Sequence, residues 1–324
     1  MRDEHSPVLL DSTSGAVMIL HPQVQALIDT MANGPALDFS TLDAAEFRAA
    51  FDVPAPSAPG VTLAHVEDRI IEADTGPLGV RLYYPHGDGP FPITLYFHGS
   101  AFVVGSPDTT DGICRTLAKN AHTLVISVDY RLAPEAPFPA AVNDACAALH
   151  WVHAHAIELR GIASRIAVGG DSAGGNIAAV LAQQARQDGP QVCHQLLLYP
   201  VLDCSFETES YKAYASAHFL GAEMMRWAWR QYLPDPRMAQ DVRASPLRET
   251  DLAGVASATI FTAEYDILRD EAETYALALR DAGVAVHLKR WPGQVHAFML
   301  MQGVLDDADT ALMEAAEALR CAFA

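Results

Sequence analysis

Short apolar runs rich in β-branched residues recur along the chain and alternate with helix-length windows, and this alternation restricts the fold more than any other feature. The runs are Ile93-Thr94-Leu95-Tyr96-Phe97, residues 123–128, Arg165-Ile166-Ala167-Val168, Leu196-Leu197-Leu198-Tyr199, Thr259-Ile260-Phe261-Thr262 and residues 284–288. Runs that are apolar on both faces suit the buried strands of a parallel sheet. An earlier segment, with Val80, Leu82 and Tyr84, alternates instead like a half-buried strand. Helical windows at 140–156, 176–187, 270–282 and 307–322 separate the runs. Strand and helix in alternation imply right-handed crossovers and a doubly wound α/β sheet. The chain has the material for it: of 324 residues 50% are apolar and only 19% charged, which excludes disorder as the main state.

Two regions depart from the alternation. Residues 1–60 read as two short helices and a linker. Pro22 suits a first helical turn, with Val24, Leu27, Ile28 and Met31 on one face, and Leu42, Phe47 and Phe51 repeat the spacing. Residues 53–60, with three prolines and a terminal glycine, break any helix and serve as a connector. The second region, about residues 205–243, carries Phe219, Trp227, Trp229 and Tyr232 at helical spacing and no strand. It is expected to form, with the N-terminal helices, a cap over the strand ends; the plainer alternative is an extra helix pair packed on the core. Residues 61–324 then form the main domain.

Charge narrows the function. With 21 Lys and Arg against 40 Asp and Glu, the net charge is −19. Such a surface repels nucleic acids and anionic headgroups, so neither nucleic acid nor membrane is an expected partner. Residues 1–7 are polar and acidic with no apolar core of a signal peptide behind them, and no run reaches the length of a membrane span. The five cysteines are scattered and form no C-x-x-C pair, so each is expected to be a small buried apolar residue in a reducing cytoplasm. His150 and His153 stand three apart on a helix but have no carboxylate or cysteine beside them, and a polar helix face accounts for them better than a metal site.

The chemistry concentrates at Gly170-Asp171-Ser172-Ala173-Gly174, a G-x-S-x-G pattern at a strand-to-helix junction. A nucleophile at the tip of so sharp a turn is crowded, and glycines two residues to either side remove the Cβ atoms that would clash. Its hydroxyl would lie at the N-terminus of the next helix, whose dipole favours negative charge. A phosphate cradle is the competing reading, but no Gly-Lys-Ser/Thr follows. A serine nucleophile needs a base, and the base needs an orienting carboxylate. Asp266 follows one strand and His296 the last, on the rim that Ser172 occupies in a parallel sheet. Glu264 and Asp270 compete with Asp266, although Asp270 suits a helix start. Directly after another strand, Phe97-His98-Gly99-Ser100-Ala101-Phe102 is a loop able to aim backbone N–H groups at an oxyanion.

These residues resemble those of the hormone-sensitive-lipase-like bacterial esterases of the α/β-hydrolase superfamily, the branch that includes acetyl esterases. The likeness spans roughly residue 60 to the C-terminus. It rests on the two motifs above, on Asp129-Tyr130-Arg131-Leu132-Ala133-Pro134-Glu135, on Asp266-Ile267-Leu268-Arg269-Asp270-Glu271 and on His296-Ala297-Phe298. It implies an α/β-hydrolase fold with a mostly parallel central sheet, flanking helices and a helical cap. It also implies Ser172 as nucleophile, His296 as general base, Asp266 as its orienter, and the N–H groups of Ser100, Ala101 and Ala173 as the oxyanion hole. Phe102, Phe219 and Trp227 are expected around the substrate, and Arg131 and Glu135 in the scaffold. The implied reaction is hydrolysis of short, acetyl-like esters without cofactor or metal; an amide or lactone hydrolase on the same triad, or a non-catalytic small-molecule receptor, are the other readings. Many relatives pair through the last strand and C-terminal helix, which implies a homodimer. The chain departs from the family at Ser100-Ala101, where two glycines are usual, and at Ile267, where proline is.

Overall fold

In the computed structural model, which describes residues 9–10, 17–31, 37–52, 60–216 and 219–324, the six apolar runs become parallel neighbours. Strand β5 (Phe91–Phe97) lies between β6 (Leu124–Asp129) and β7 (Gly161–Asp171). Outward from β7 come β8 (His194–Leu198), β9 (Ser257–Tyr265) and the edge strand β10 (Val286–Val295), all parallel. Beyond β6 the sheet ends in an antiparallel hairpin of β4 (Gly76–Tyr84) and β3 (His65–Ala73). A separate antiparallel pair joins β1 (Leu9–Leu10) to β2 (Val17–Met18). The chain steps from β5 to β6 on one side and then to β7 on the other, so the carboxyl ends of β5 and β7 flank the point where a doubly wound sheet opens a crevice.

The sequence reading does not anticipate β3. Glu67, Asp68, Arg69 and Glu72 interrupt its apolar pattern, as befits an edge strand that leaves Ile70 in solvent. Nor does it anticipate α3 (Asp111–Ala121), whose short apolar stripe of Ile113, Cys114, Leu117 and Ala121 is nevertheless buried. Helices α4 (Ala140–Ala154), α5 (Ala173–Asp188) and α8 (Arg269–Asp281) share one hydrophobic cluster, and α3 and α9 (Asp306–Ala322) share another. Strand residues feed both: Ile93, Leu95 and Phe97 the first, Tyr96, Val125 and Ala167 the second.

The excursion after β8 holds α6 (Glu209–Ala213), α7 (Ala222–Tyr232) and a 3-10 turn at Pro236–Gln240. Asn176 on α5 fastens both of its roots, donating to the carbonyls of Val201 (3.0 Å) and Ala244 (2.9 Å). The two N-terminal helices part company. Helix α2 (Ala44–Phe51) packs on the excursion, with Phe47 and Trp227 ring centres 4.4 Å apart and the indole N–H on the Leu42 carbonyl at 2.9 Å. Helix α1 (Pro22–Met31) joins the other cluster through Val24 and Ile28, beside the end of β10, where the His21 N–H meets the Gly293 carbonyl at 2.9 Å. Both helices are expected in the cap, but only α2 packs on the excursion, because amphipathic spacing does not specify which surface a helix covers. Residues 1–7 and most of the connector, 53–59, lie outside the described residues.

The cysteines are free, but only Cys114 is fully buried: Cys146, Cys193 and Cys204 are half-buried and Cys321 is exposed, on the outer turn of the C-terminal helix. His150 and His153 face solvent, and His150 and His155 turn their Nδ1 atoms to carbonyls one helical turn back. Among the described residues no helix is long and apolar enough to cross a membrane.

The packing of Trp227 gives a stability test. Trp227→Ala removes a fully buried ring and its hydrogen bond, and is expected to cost about 3–5 kcal/mol of unfolding free energy, measured by denaturant titration.

Candidate active site

The turn from β7 into α5 is tight because three main-chain segments meet there. A Cβ on Gly174 would run into the Phe97 carbonyl, and one on Gly170 into the Gly174 backbone. With those atoms absent, the turn closes and holds Ser172 at φ 51°, ψ −116°, a conformation that side chains disfavour. Neighbouring strands keep it there: the Ser172 N–H donates to the Leu198 carbonyl (2.9 Å), and its carbonyl accepts from Val201 (3.1 Å) and Asn176 (3.2 Å).

His296 follows directly on β10. Its Nε2 accepts from the Ser172 hydroxyl at 3.0 Å, and its Nδ1 donates to Asp266 Oδ2 at 2.7 Å. The other carboxyl oxygen, Oδ1, takes the Leu268 N–H at 2.9 Å, which fixes the carboxyl plane where β9 turns into α8. All three side chains are nearly buried, Asp266 most of all. Tyr199 stands edge-on to the imidazole at 5.0 Å. The competing carboxylates are engaged elsewhere: Glu264 accepts from the Gly293 N–H (2.7 Å), and Asp270 from the Ser210 N–H (2.7 Å) at the start of α8.

The loop after β5 holds Ser100, Ala101 and Phe102 at φ 75°, 61° and 65°. Three successive left-handed residues with side chains carry strain of roughly 1–3 kcal/mol each, and the surroundings over-determine them. The Tyr130 hydroxyl donates to the His98 carbonyl (2.7 Å), the Phe102 carbonyl accepts from Ala133 (3.0 Å), and the Arg48 Nε donates to the Val103 carbonyl (2.8 Å). Buried His98 stacks on Tyr130 at 4.4 Å, and burial pulls its pKa down to about 4, so the ring is neutral. Among the described residues no protein acceptor takes the N–H groups of Ser100, Ala101 or Ala173.

A cavity of about 300 Å³ opens above Ser172 and His296. Ser100 and Ala101 form one wall, Phe47 and Phe51 of α2 another, and Phe219, Leu220, Met224 and Met225 of the excursion a third. Leu300 and Met301 also line it, with Asp171 beside Ser172 and, among the described residues, neither lysine nor arginine. Of the aromatic residues expected around a substrate, Phe219 lines the cavity. Phe102 and Trp227 do not: Phe102 lies flat on Tyr232 at 3.9 Å, and Trp227 is occupied by Phe47 and Leu42. Large aromatic side chains in the loop and the excursion are expected to be buried, but only the packing decides which face the void. Phe47, Phe51 and the methionines went unassigned, because ordinary core residues carry the same signal. Arg131 grips Asp144 on α4, as a scaffold residue would, whereas Glu135 reaches across to Arg48 of α2.

Known proteins resemble this chain over most of its length. The family described as alpha/beta hydrolase fold matches residues 94–300. A carboxylic ester hydrolase of Mycobacterium tuberculosis, LipN, is 39% identical over 86% of this chain and 77% of its own length. An ethyl acetate hydrolase of Pseudomonas putida is 37% identical over 94% and 99%. Among solved structures, a thermostable esterase from Pseudomonas putida superposes with a TM-score of 0.90 at 34% identity, over 96% of this chain and 99% of that one.

Proposed function

The chain belongs to the alpha/beta hydrolase fold family, and on that premise we propose that it cleaves short, acetyl-like esters through an acyl-enzyme formed on Ser172. Hydrolysis of carboxylic esters is the activity its relatives carry in their names, and the chain is a carboxylic ester hydrolase. The observation that carries the residue assignment is the unbroken hydrogen-bonded path from the Ser172 hydroxyl through His296 to Asp266 at the floor of an apolar cavity.

In this reading His296 Nε2 takes the hydroxyl proton as Ser172 Oγ attacks the ester carbonyl. Asp266 keeps the proton on Nδ1 and steadies the imidazolium. The carbonyl oxygen, now an oxyanion, is met by the N–H groups of Ser100, Ala101 and Ala173, the last at the N-terminus of α5. The C–O bond breaks, and the alkoxide leaves with the proton from His296. Water then gives a proton to His296 and attacks the acyl carbon, releasing the acid and restoring the serine. The cavity's apolar walls, with no lysine or arginine among the described lining residues, favour neutral esters, and a volume of about 300 Å³ favours small ones. Helix α2 and the 205–243 excursion act as the cap.

Ser172→Ala should leave the melting temperature close to that of the parent while kcat falls by roughly four to six orders of magnitude; near-normal turnover of p-nitrophenyl acetate in this variant would refute the mechanism. The oxyanion loop should set a steric limit, because Ser100 and Ala101 put Cβ atoms where the family usually has none. For Ser100→Gly with Ala101→Gly, the ratio of kcat/KM for a tertiary-butyl ester over a primary ester should rise ~10-fold, from roughly 1–3 kcal/mol of crowding relieved. A level or falling ratio would shift the limit to Phe219 and its neighbours. Pairing of two copies along β10 and α9, the open edge of the sheet, is checked by light scattering at micromolar concentration, where a monomer would remove it.

A further inference from the structure

Asp171, inside the turn that carries Ser172, is only 1% exposed, yet it borders the cavity. Its Oδ1 accepts from the Gly99 N–H and from the Tyr96 hydroxyl, each at 3.1 Å. Contact with the loop is so close that a Cβ on Gly99 would run into the second carboxyl oxygen. Gly99 immediately precedes Ser100 and Ala101, whose N–H groups are the proposed oxyanion donors. We infer that Asp171 is a positioning residue for acyl transfer: its buried carboxylate clamps the oxyanion loop to the nucleophile turn through Gly99. This rests on the triad reading above and adds a part to it.

The charge of the clamp matters as well as its shape. Burial pushes the Asp171 carboxyl up to about 6, against the pull of the Tyr96 and Gly99 hydrogen bonds, so it is ionised in the neutral range. Tyr96 from β5, Cys114 from α3, and Tyr130 and Tyr199 from the ends of β6 and β8 face it, and burial raises the pKa of each, keeping all four neutral. His98 is kept neutral in the opposite direction. That leaves His296 as the facing group that gains charge during turnover, and its attraction helps to keep Asp171 ionised. The interaction is mutual: a carboxylate at 171 favours positive charge on the imidazole during turnover, and Asp171→Asn removes both that charge and a group that itself takes up a proton near pH 6.

The test compares parent, Asp171→Ala, Asp171→Asn and Ser172→Ala by kcat and KM for p-nitrophenyl acetate from about pH 5 to 9, with melting temperatures. Asp171→Ala frees the loop and strands the Gly99 N–H and Tyr96 hydroxyl, so kcat should fall about 10- to 100-fold with a smaller change in KM, as for a displaced group that acts in the transition state. Asp171→Asn keeps an acceptor for Gly99 but not the charge. Its plateau kcat should fall less than that of Asp171→Ala, and the acid limb of kcat/KM should move to lower pH, which a merely structural residue would not cause. Parental kcat in folded Asp171→Ala, or a parental acid limb in Asp171→Asn, overturns the inference. If Asp171→Ala does not fold, the acid limb of Asp171→Asn decides alone. Substantial activity in Ser172→Ala would instead refute the triad, whereas an inactive Ser172→Ala with unaltered Asp171 variants refutes only the clamp.

Discussion

The backbone contact between the end of β5 and the start of α5 is the constraint on which the site depends. The Phe97 carbonyl occupies the space that a side chain at 174 would need, and the Gly174 backbone the space that one at 170 would need. Only with both positions bare can a strand end and a helix start share one turn, and only that turn holds Ser172 out of the sheet in a left-handed conformation. The same contact brings the loop from His98 onward alongside the serine, because β5 and β7 are hydrogen-bonded neighbours whose last paired residues are Phe97 and Gly170. Proposed nucleophile and proposed oxyanion donors thus descend from one packing event at the switch point of the sheet.

Rigidity around that point comes from hydrogen bonds that several elements make to the loop after β5. Tyr130, Asp171 and Ala133 each hold a different atom of the proposed oxyanion loop, and Arg48 holds a fourth from outside. Such bonding lets Ser100, Ala101 and Phe102 remain left-handed without glycine, since relaxing any one would break hydrogen bonds that hold the loop. Glu271 performs a related task at the root of the excursion. Its Oε1 accepts from the Leu202 N–H (2.6 Å), and burial pushes its pKa up, so a buried carboxyl ties the root of the excursion to α8.

The excursion is coupled to this core at several places, among them the Phe138 N–H on the Tyr232 carbonyl (2.8 Å) and the Ser210 hydroxyl on the Ile267 carbonyl (2.6 Å). Arg48 of α2 spans the Val103 and Ala133 carbonyls and the Glu135 carboxylate, and the Phe47–Trp227 stack joins α2 to α7. These contacts set the distance between the apolar walls of the cavity and the oxyanion loop beneath them. A helix of eight residues has little stability of its own, so its place depends on these tertiary contacts.

The sequence by itself determined the parallel sheet, built from its apolar runs, and singled out Ser172 and His296, with Asp266 one of three candidate carboxylates. Buried strands must be apolar on both faces, and a nucleophile turn must have glycines at fixed offsets, so both constraints are written locally. It did not reveal β3 or α3, whose charged residues mask short apolar patterns that burial from one side suffices to fix. It left Asp266, Glu264 and Asp270 as rivals, and only the tertiary structure separated them, because hydrogen-bond reach depends on where β9, β10 and α8 end in space. The cavity walls were decided there too. Phe47, Phe102, Phe219 and Trp227 are all large apolar residues, and whether one faces a void or a neighbour is settled by packing between segments far apart in the chain.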